Sequence, residues 1–164
     1  MIKKLNILIL TMIGIGNSKY ASGTVASFAT CLIYICFYNF QVNIFYLISI
    51  MIIIFIFSVY SIDGLKNHFS KTDAREIVVD EFIGQSIPII TIYNFIEKNN
   101  LSHFMTYTFV SFVLFRIFDI LKPYPINIID KKMKNGFGVI LDDIVAGIYS
   151  AIMLLVIVFF INYA

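Results

Sequence analysis

Charged residues are absent from positions 20–62, and within that stretch the apolar run is interrupted only at 39–43, where the chain reads NFQVN. A hydrocarbon core roughly 30 Å thick takes about 20 helical residues to cross. The stretch therefore predicts two membrane-spanning helices joined by that polar turn. Three further apolar segments follow, at about 77–96, 104–121 and 139–162. Their Ile, Val and Phe content would favour strands in water, but backbone in lipid must satisfy its own hydrogen bonds, and runs of this length then predict helices. A β-barrel would alternate polar and apolar positions; this chain does not. The pattern predicts an all-α, polytopic membrane protein with about five membrane-embedded helices. The first 13 residues, MIKKLNILILTMI, have the basic start and short apolar run of a signal peptide. No soluble domain follows that would need export, so they are read instead as a short helix packed against the bilayer or dipping into it.

Composition agrees with this pattern. At 164 residues and 60% hydrophobic content the chain is one domain, residues 1–164, far from the soluble range. Cys31 and Cys36 lie in the first span with no metal-type partner set around them, which makes them lipid-facing or packing residues.

Five alternating spans sort the charges. Lys3, Lys4 and Lys19, then Lys66, Lys71 and Arg75, then Arg116, Lys122, Lys131, Lys132 and Lys134 fall on one side, and only Lys98 falls opposite. The bias of basic residues makes the first side cytoplasmic. Acidic residues, which were not used in that assignment, follow it with the single exception of Glu97. Any working face is thus expected at the cytoplasmic surface. A net charge of only +2 argues against a nucleic-acid partner, whereas basic residues beside headgroups suit an anionic phospholipid.

Three polar clusters share that side. In GIGNSKYASGTVASF, residues 14–28, glycines permit close backbone approach and Ser22 or Thr24 can cap the helix that begins there. A helix start of this kind can receive phosphate, although the spacing is neither a Walker loop nor a dinucleotide fingerprint. In KTDAREIVVDEFIGQ, residues 71–85, Asp73, Glu76 and Asp80 are spaced i, i+3, i+7. A continuous helix would place them within an arc of roughly 60°, with Glu81 about 100° round from Asp80. Asp80 and Glu81 precede fifteen uncharged residues and so should sit at headgroup level. Ionisable groups at that depth are costly and mark function. In the third cluster, residues 115–147, Arg116, Asp119 and Lys122 descend a helix end that Pro123 and Pro125 stop, and Asp142 with Asp143 opens the last span.

Carboxylates without histidine or cysteine are the ligand set of a hard cation such as magnesium. Glu76, Asp80, Glu81, Asp142 and Asp143 are the candidate ligands, and Arg116 and Lys122 the candidate phosphate clamps. Asp80, Asp142, Asp143, Arg116 and Lys122 would carry the chemistry, which is phosphoryl transfer or phosphate ester hydrolysis. A cysteine phosphatase is excluded by the lack of an arginine near either thiol, and a histidine phosphatase by the placement of His68 and His103 on opposite sides. DGLKN at 63–67 also lacks the Ala-Arg of the CDP-alcohol phosphotransferases. The competing reading from another class is a small cation transporter or channel subunit with the acids as an ion path, but the final span from Ile144 carries no acid.

SGTVASF, EIVVDEFIGQ, FRIFDILKPYPI and GFGVILDDIVAGIY, in that order, resemble the phosphatidylglycerophosphatase A family of bacterial inner-membrane enzymes. The resemblance implies an all-α fold and magnesium-dependent hydrolysis of phosphatidylglycerophosphate to phosphatidylglycerol and phosphate. Asp73, Glu76, Asp80 and Glu81 fall on the family's acidic segment, Arg116, Asp119 and Lys122 on its Phe-Arg-x-Phe-Asp-x-x-Lys-Pro segment, and Asp142 and Asp143 on its Asp-Asp pair. Gly23, Thr24 and Ser27 match its first motif and, with Asp73, Arg116, Asp119 and Lys122, are the expected substrate-binding residues. Ser22 stands where the family has proline, Ala26 where it has glycine, and Tyr124 where it often has Trp.

Overall fold

The computed structural model describes residues 2–65, 74–96 and 100–163. These residues form α1 (Ile2–Leu10), a 3-10 turn (Ile15–Asn17), α2 (Ser22–Asn39), α3 (Ile44–Gly64), α4 (Val79–Tyr93), α5 (Leu101–Leu121), α6 (Ile126–Lys132) and α7 (Gly136–Tyr163). The protein is all-α. Four of these helices, α2, α3, α5 and α7, are long and apolar enough to cross a bilayer.

The turn between α2 and α3 falls where the sequence predicted it. Asn43 caps α3 by accepting the Phe45 N–H at 2.9 Å, which satisfies one of the donors a helix start leaves free. Asn100 does the same for α5 through the His103 N–H, so α5 begins one turn before the predicted Phe104. Asn135 accepts from the Gly138 N–H at 2.8 Å, and Asp63, at the end of α3, accepts from the Gly136 N–H at 2.9 Å. These two caps start α7 six residues before Asp142. The aspartate pair therefore lies inside the helix, not at its entrance.

The predicted span 77–96 is shorter than expected. α4 has 15 residues, too few to cross a bilayer on its own. It is the central helix, packed against α2, α3, α5 and α7. Its start is delayed because Ile77 and Val78 are buried outside the helix, and the Val78 N–H donates to the Leu10 carbonyl instead of entering a helical turn. Hence the single helical face carrying Asp73, Glu76 and Asp80 does not form: Glu76 is exposed in a turn before α4, and Asp73 lies outside the described residues.

α4 and α7 cross closely. Pro88 has no N–H for the Gly84 carbonyl, and Gly147 of α7 packs directly over that carbonyl, where a Cβ would collide. A Cβ on Gly84 would likewise meet the Asp143 carbonyl and Phe115. This contact brings the N-terminal half of α4 against the N-terminal half of α7.

The N-terminal segment is the short helix expected. Leu10 joins Ile62, Leu65, Ala74, Ile77, Ile83 and Ile140 in one buried cluster at the charged end of the bundle. At the other end Tyr38, Tyr93 and Phe104 pack together, with Tyr38 stacked on Phe104 at 4.0 Å between ring centres. Hydroxyls buried between helices donate to carbonyls one turn back: Ser27 to Gly23, Thr30 to Ala26 and Ser86 to Phe82. In lipid-like surroundings such local pairing keeps a polar atom affordable.

Candidate active site

The helix directions gather the polar clusters at one end of the bundle. The starts of α2, α4 and α7 and the ends of α3 and α5 meet there, through contacts such as Ser22 Oγ to the Arg75 carbonyl (3.0 Å) and Gly136 to Asp63. At the centre lies a cleft of about 110 Å³ lined by Asp80, Glu81, Asp119, Lys122, Asp130, Lys134, Asp142 and Asp143, among others.

α4 contributes Asp80 and Glu81 from its first turn, and α7 contributes Asp142 and Asp143 from its second. One carboxylate oxygen from each of Asp80, Glu81 and Asp143 lies within 4.8 Å of the others. Asp80 Oδ1 and Glu81 Oε2 are buried without a hydrogen-bond partner. Unpaired acceptors in a buried site are costly, and three carboxylates facing one another repel.

Two cations stand at the edge of this cluster and are already engaged. Lys122 caps the end of α5 in the left-handed conformation, φ 43° and ψ 59°. That strained turn carries its side chain back to the cleft, where Nζ donates to Asp142 Oδ2 at 2.8 Å and to Asp130 Oδ1 at 2.9 Å. Burial works against the charge of this ammonium, but the two carboxylates outweigh it and hold the lysine above its ordinary value. Arg116 pairs with Asp119 at 2.6 Å across one turn of α5.

The start of α2 closes another wall. Gly23 abuts both Glu81 and Arg116, so tightly that a Cβ would collide with Glu81 Oε1 and lie 3.3 Å from Arg116 Nη1. Neither Ser22 nor Thr24 caps α2 as predicted. Ala21, in the left-handed conformation, precedes the helix without a side-chain cap, and the Ser22 hydroxyl is spent on the Arg75 carbonyl. The Ser27 hydroxyl is likewise held within its own helix, and Thr24 is half-buried beside the cleft-facing Gly23.

Of the residues singled out from sequence, Asp80, Glu81, Asp119, Lys122, Asp142 and Asp143 share the cleft, with Gly23 and Arg116 against its wall. Glu76 stands apart, lining a separate shallow recess with Arg75 and Gly16–Ser18. Sequence reasoning missed Asp130 and Lys134. Asp130 sits on a short helix among exposed lysines, and only its pairing with Lys122, eight residues earlier, distinguishes it.

Among the described residues no carboxylate follows Glu81 on α4 or Asp143 on α7, so the acids form a terminal cleft and not a path through the bundle. A helical membrane protein that gathers its acids around Lys122 in one small cleft at a bundle end, with Arg116 against the wall, has the form of a membrane enzyme, not of a channel.

Comparison with known proteins makes the class specific. The model of the family Phosphatidylglycerophosphatase A matches residues 8–158. A Bacteroides thetaiotaomicron protein provisionally named a phosphatidylinositol-3-phosphatase is 31% identical over 155 residues, covering 93% of this chain and 92% of its own length. Phosphatidylglycerophosphatase A of Haemophilus influenzae is 41% identical over 81 residues, 49% of this chain and 45% of that one. The Escherichia coli protein of the same name is 39% identical over 79 residues, 48% and 41% of the respective chains. The alignments to these two thus cover less than half of each relative. No solved structure matches. The chain belongs to the phosphatidylglycerophosphatase A family, a family of membrane enzymes.

Proposed function

We propose that this protein hydrolyses the phosphomonoester of phosphatidylglycerophosphate, releasing phosphatidylglycerol and phosphate, at the cytoplasmic face of a bacterial inner membrane. The observation that carries the reading is the convergence of Asp80, Glu81 and Asp143, two of them with unpaired buried oxygens, on a cleft that also holds Lys122. Family membership supports the lipid substrate. The basic residues at the cleft end, Lys19, Arg75, Lys131, Lys132 and Lys134 among them, support the cytoplasmic orientation.

The donor set fits magnesium. Oxygen-only ligands suit a hard cation, and Asp80, Glu81 and Asp143 are close enough to share one. Bound there, the ion would supply positive charge against the phosphoryl oxygens.

The chain's own groups do the rest. Lys122 has three donors and gives two to Asp130 and Asp142, which leaves one for a phosphate oxygen. Arg116, against Gly23, adds charge where negative charge grows in the transition state. Asp142 lines the cleft beside Lys122 and can take the proton of the attacking water. The small cleft admits the phosphate and leaves the glycerol and acyl chains at the membrane surface.

Phosphate release from purified protein with phosphatidylglycerophosphate, with and without a chelator and alongside Asp80→Asn, tests the proposal. Activity undiminished by chelation or by the substitution would reject the site. The name of the Bacteroides relative gives phosphatidylinositol 3-phosphate as the second substrate to assay in parallel.

A further inference from the structure

We infer that Asp130 is a positioning residue that holds the Lys122 ammonium at the mouth of the cleft, away from the carboxylates of α4 and in reach of an incoming phosphate; the inference rests on the function proposed above. Asp130 lies on α6, between the cleft acids of α5 and those of α7. Its Oδ1 meets Lys122 Nζ at 2.9 Å, and Asp142 Oδ2, on α7, meets the same nitrogen at 2.8 Å. The lysine is thus held between two helices, α6 and α7.

The alternative resting place for that ammonium is close by. Asp80 Oδ1 and Glu81 Oε2 are buried, unpaired and in the same cleft, so a lysine without its outer partner would be drawn inward to them. There it would occupy the space of a cation and present no donor to the cleft mouth. Asp130 is well anchored for its task. α6 is held by Ile126, which is fully buried, in a cluster with Phe115 and Ala146.

Asp130→Asn and Asp130→Glu should be compared for KM and kcat on phosphatidylglycerophosphate in detergent micelles. The amide should raise KM about tenfold, the scale of losing a hydrogen bond to a charged group, with a smaller change in kcat. The conservative carboxylate of Asp130→Glu should recover most of it. A second readout needs no turnover: the rate at which Lys122 is methylated by formaldehyde and borohydride, followed by mass spectrometry against exposed Lys131 and Lys132. The wild type should react slowly at Lys122, and Asp130→Asn should change that rate severalfold while leaving the other two unchanged. An unchanged KM in folded Asp130→Asn, or a Lys122 labelling rate indifferent to the substitution, overturns the inference. Failure of the wild type to hydrolyse the lipid, with the labelling contrast intact, would count against the substrate reading and not against the tether.

Discussion

Gly23 sits against Glu81 so closely that the first carbon of any side chain would collide with the glutamate carboxylate and press on Arg116. Two elements far apart in sequence, the start of α2 and the start of α4, are thereby locked around one carboxylate. Gly23→Ala should displace Glu81 and Arg116 together. Misplacement of about 1 Å at a catalytic centre can cost about a hundredfold in rate, so kcat should fall by about that factor. Circular dichroism should show unchanged helix content, and normal turnover would mean that Glu81 and Arg116 are not needed where they stand.

The crowding of Asp80, Glu81 and Asp143 opposes folding when no cation balances it. Asp143→Asn removes one of the repelling charges. Without divalent ions the variant should melt about 2–4 °C above the wild type, while phosphate release falls about a hundredfold or more. Magnesium should raise the melting temperature of the wild type and leave that of the variant nearly unchanged. Equal shifts in both proteins would place the ion elsewhere.

Lys122 is the counter-charge of Asp142, which is 6% exposed. Lys122→Met leaves that carboxylate buried and unpaired, at a cost of about 2 kcal/mol, and should abolish phosphate release. The sign with pH follows from the raised value of the folded lysine. Its stabilising contribution is fully present below the ordinary lysine range and is lost only as pH rises through the folded value. The stability gap between wild type and Lys122→Met should therefore persist across neutral pH and up to about 10, the ordinary lysine range. Chemical denaturation in detergent at several pH values measures it. A gap that closes near neutrality would contradict the pairing.

Glu76 provides the contrast with Asp80. It is exposed in the turn before α4 and lines a different recess. Glu76→Gln should keep activity within about twofold, the range of a surface change, whereas Asp80→Asn should nearly eliminate it. Comparable losses in both would return Glu76 to the site.

The membrane character, the helical class and the turn at 39–43 are legible in the sequence, because apolar runs in lipid leave the backbone one economical choice. So is the gathering of charge at one end, since helices that alternate in direction along the bundle, the short α4 among them, return each polar cluster to the same end. The chemistry of the acids is also readable, because residue type fixes which ligands they favour. Tertiary structure decided what the spacing could not. Glu76 left the acidic group because Val78 spends its N–H on Leu10 and delays α4. Asp142 and Asp143 entered the helix because Asp63 and Asn135 start α7 early. Asp130 joined the cleft because the left-handed turn at Lys122 carries the ammonium back toward α6. A periodic pattern reports the faces of helices that exist; where each begins, and which side chain reaches across, depends on partners that lie dozens of residues away.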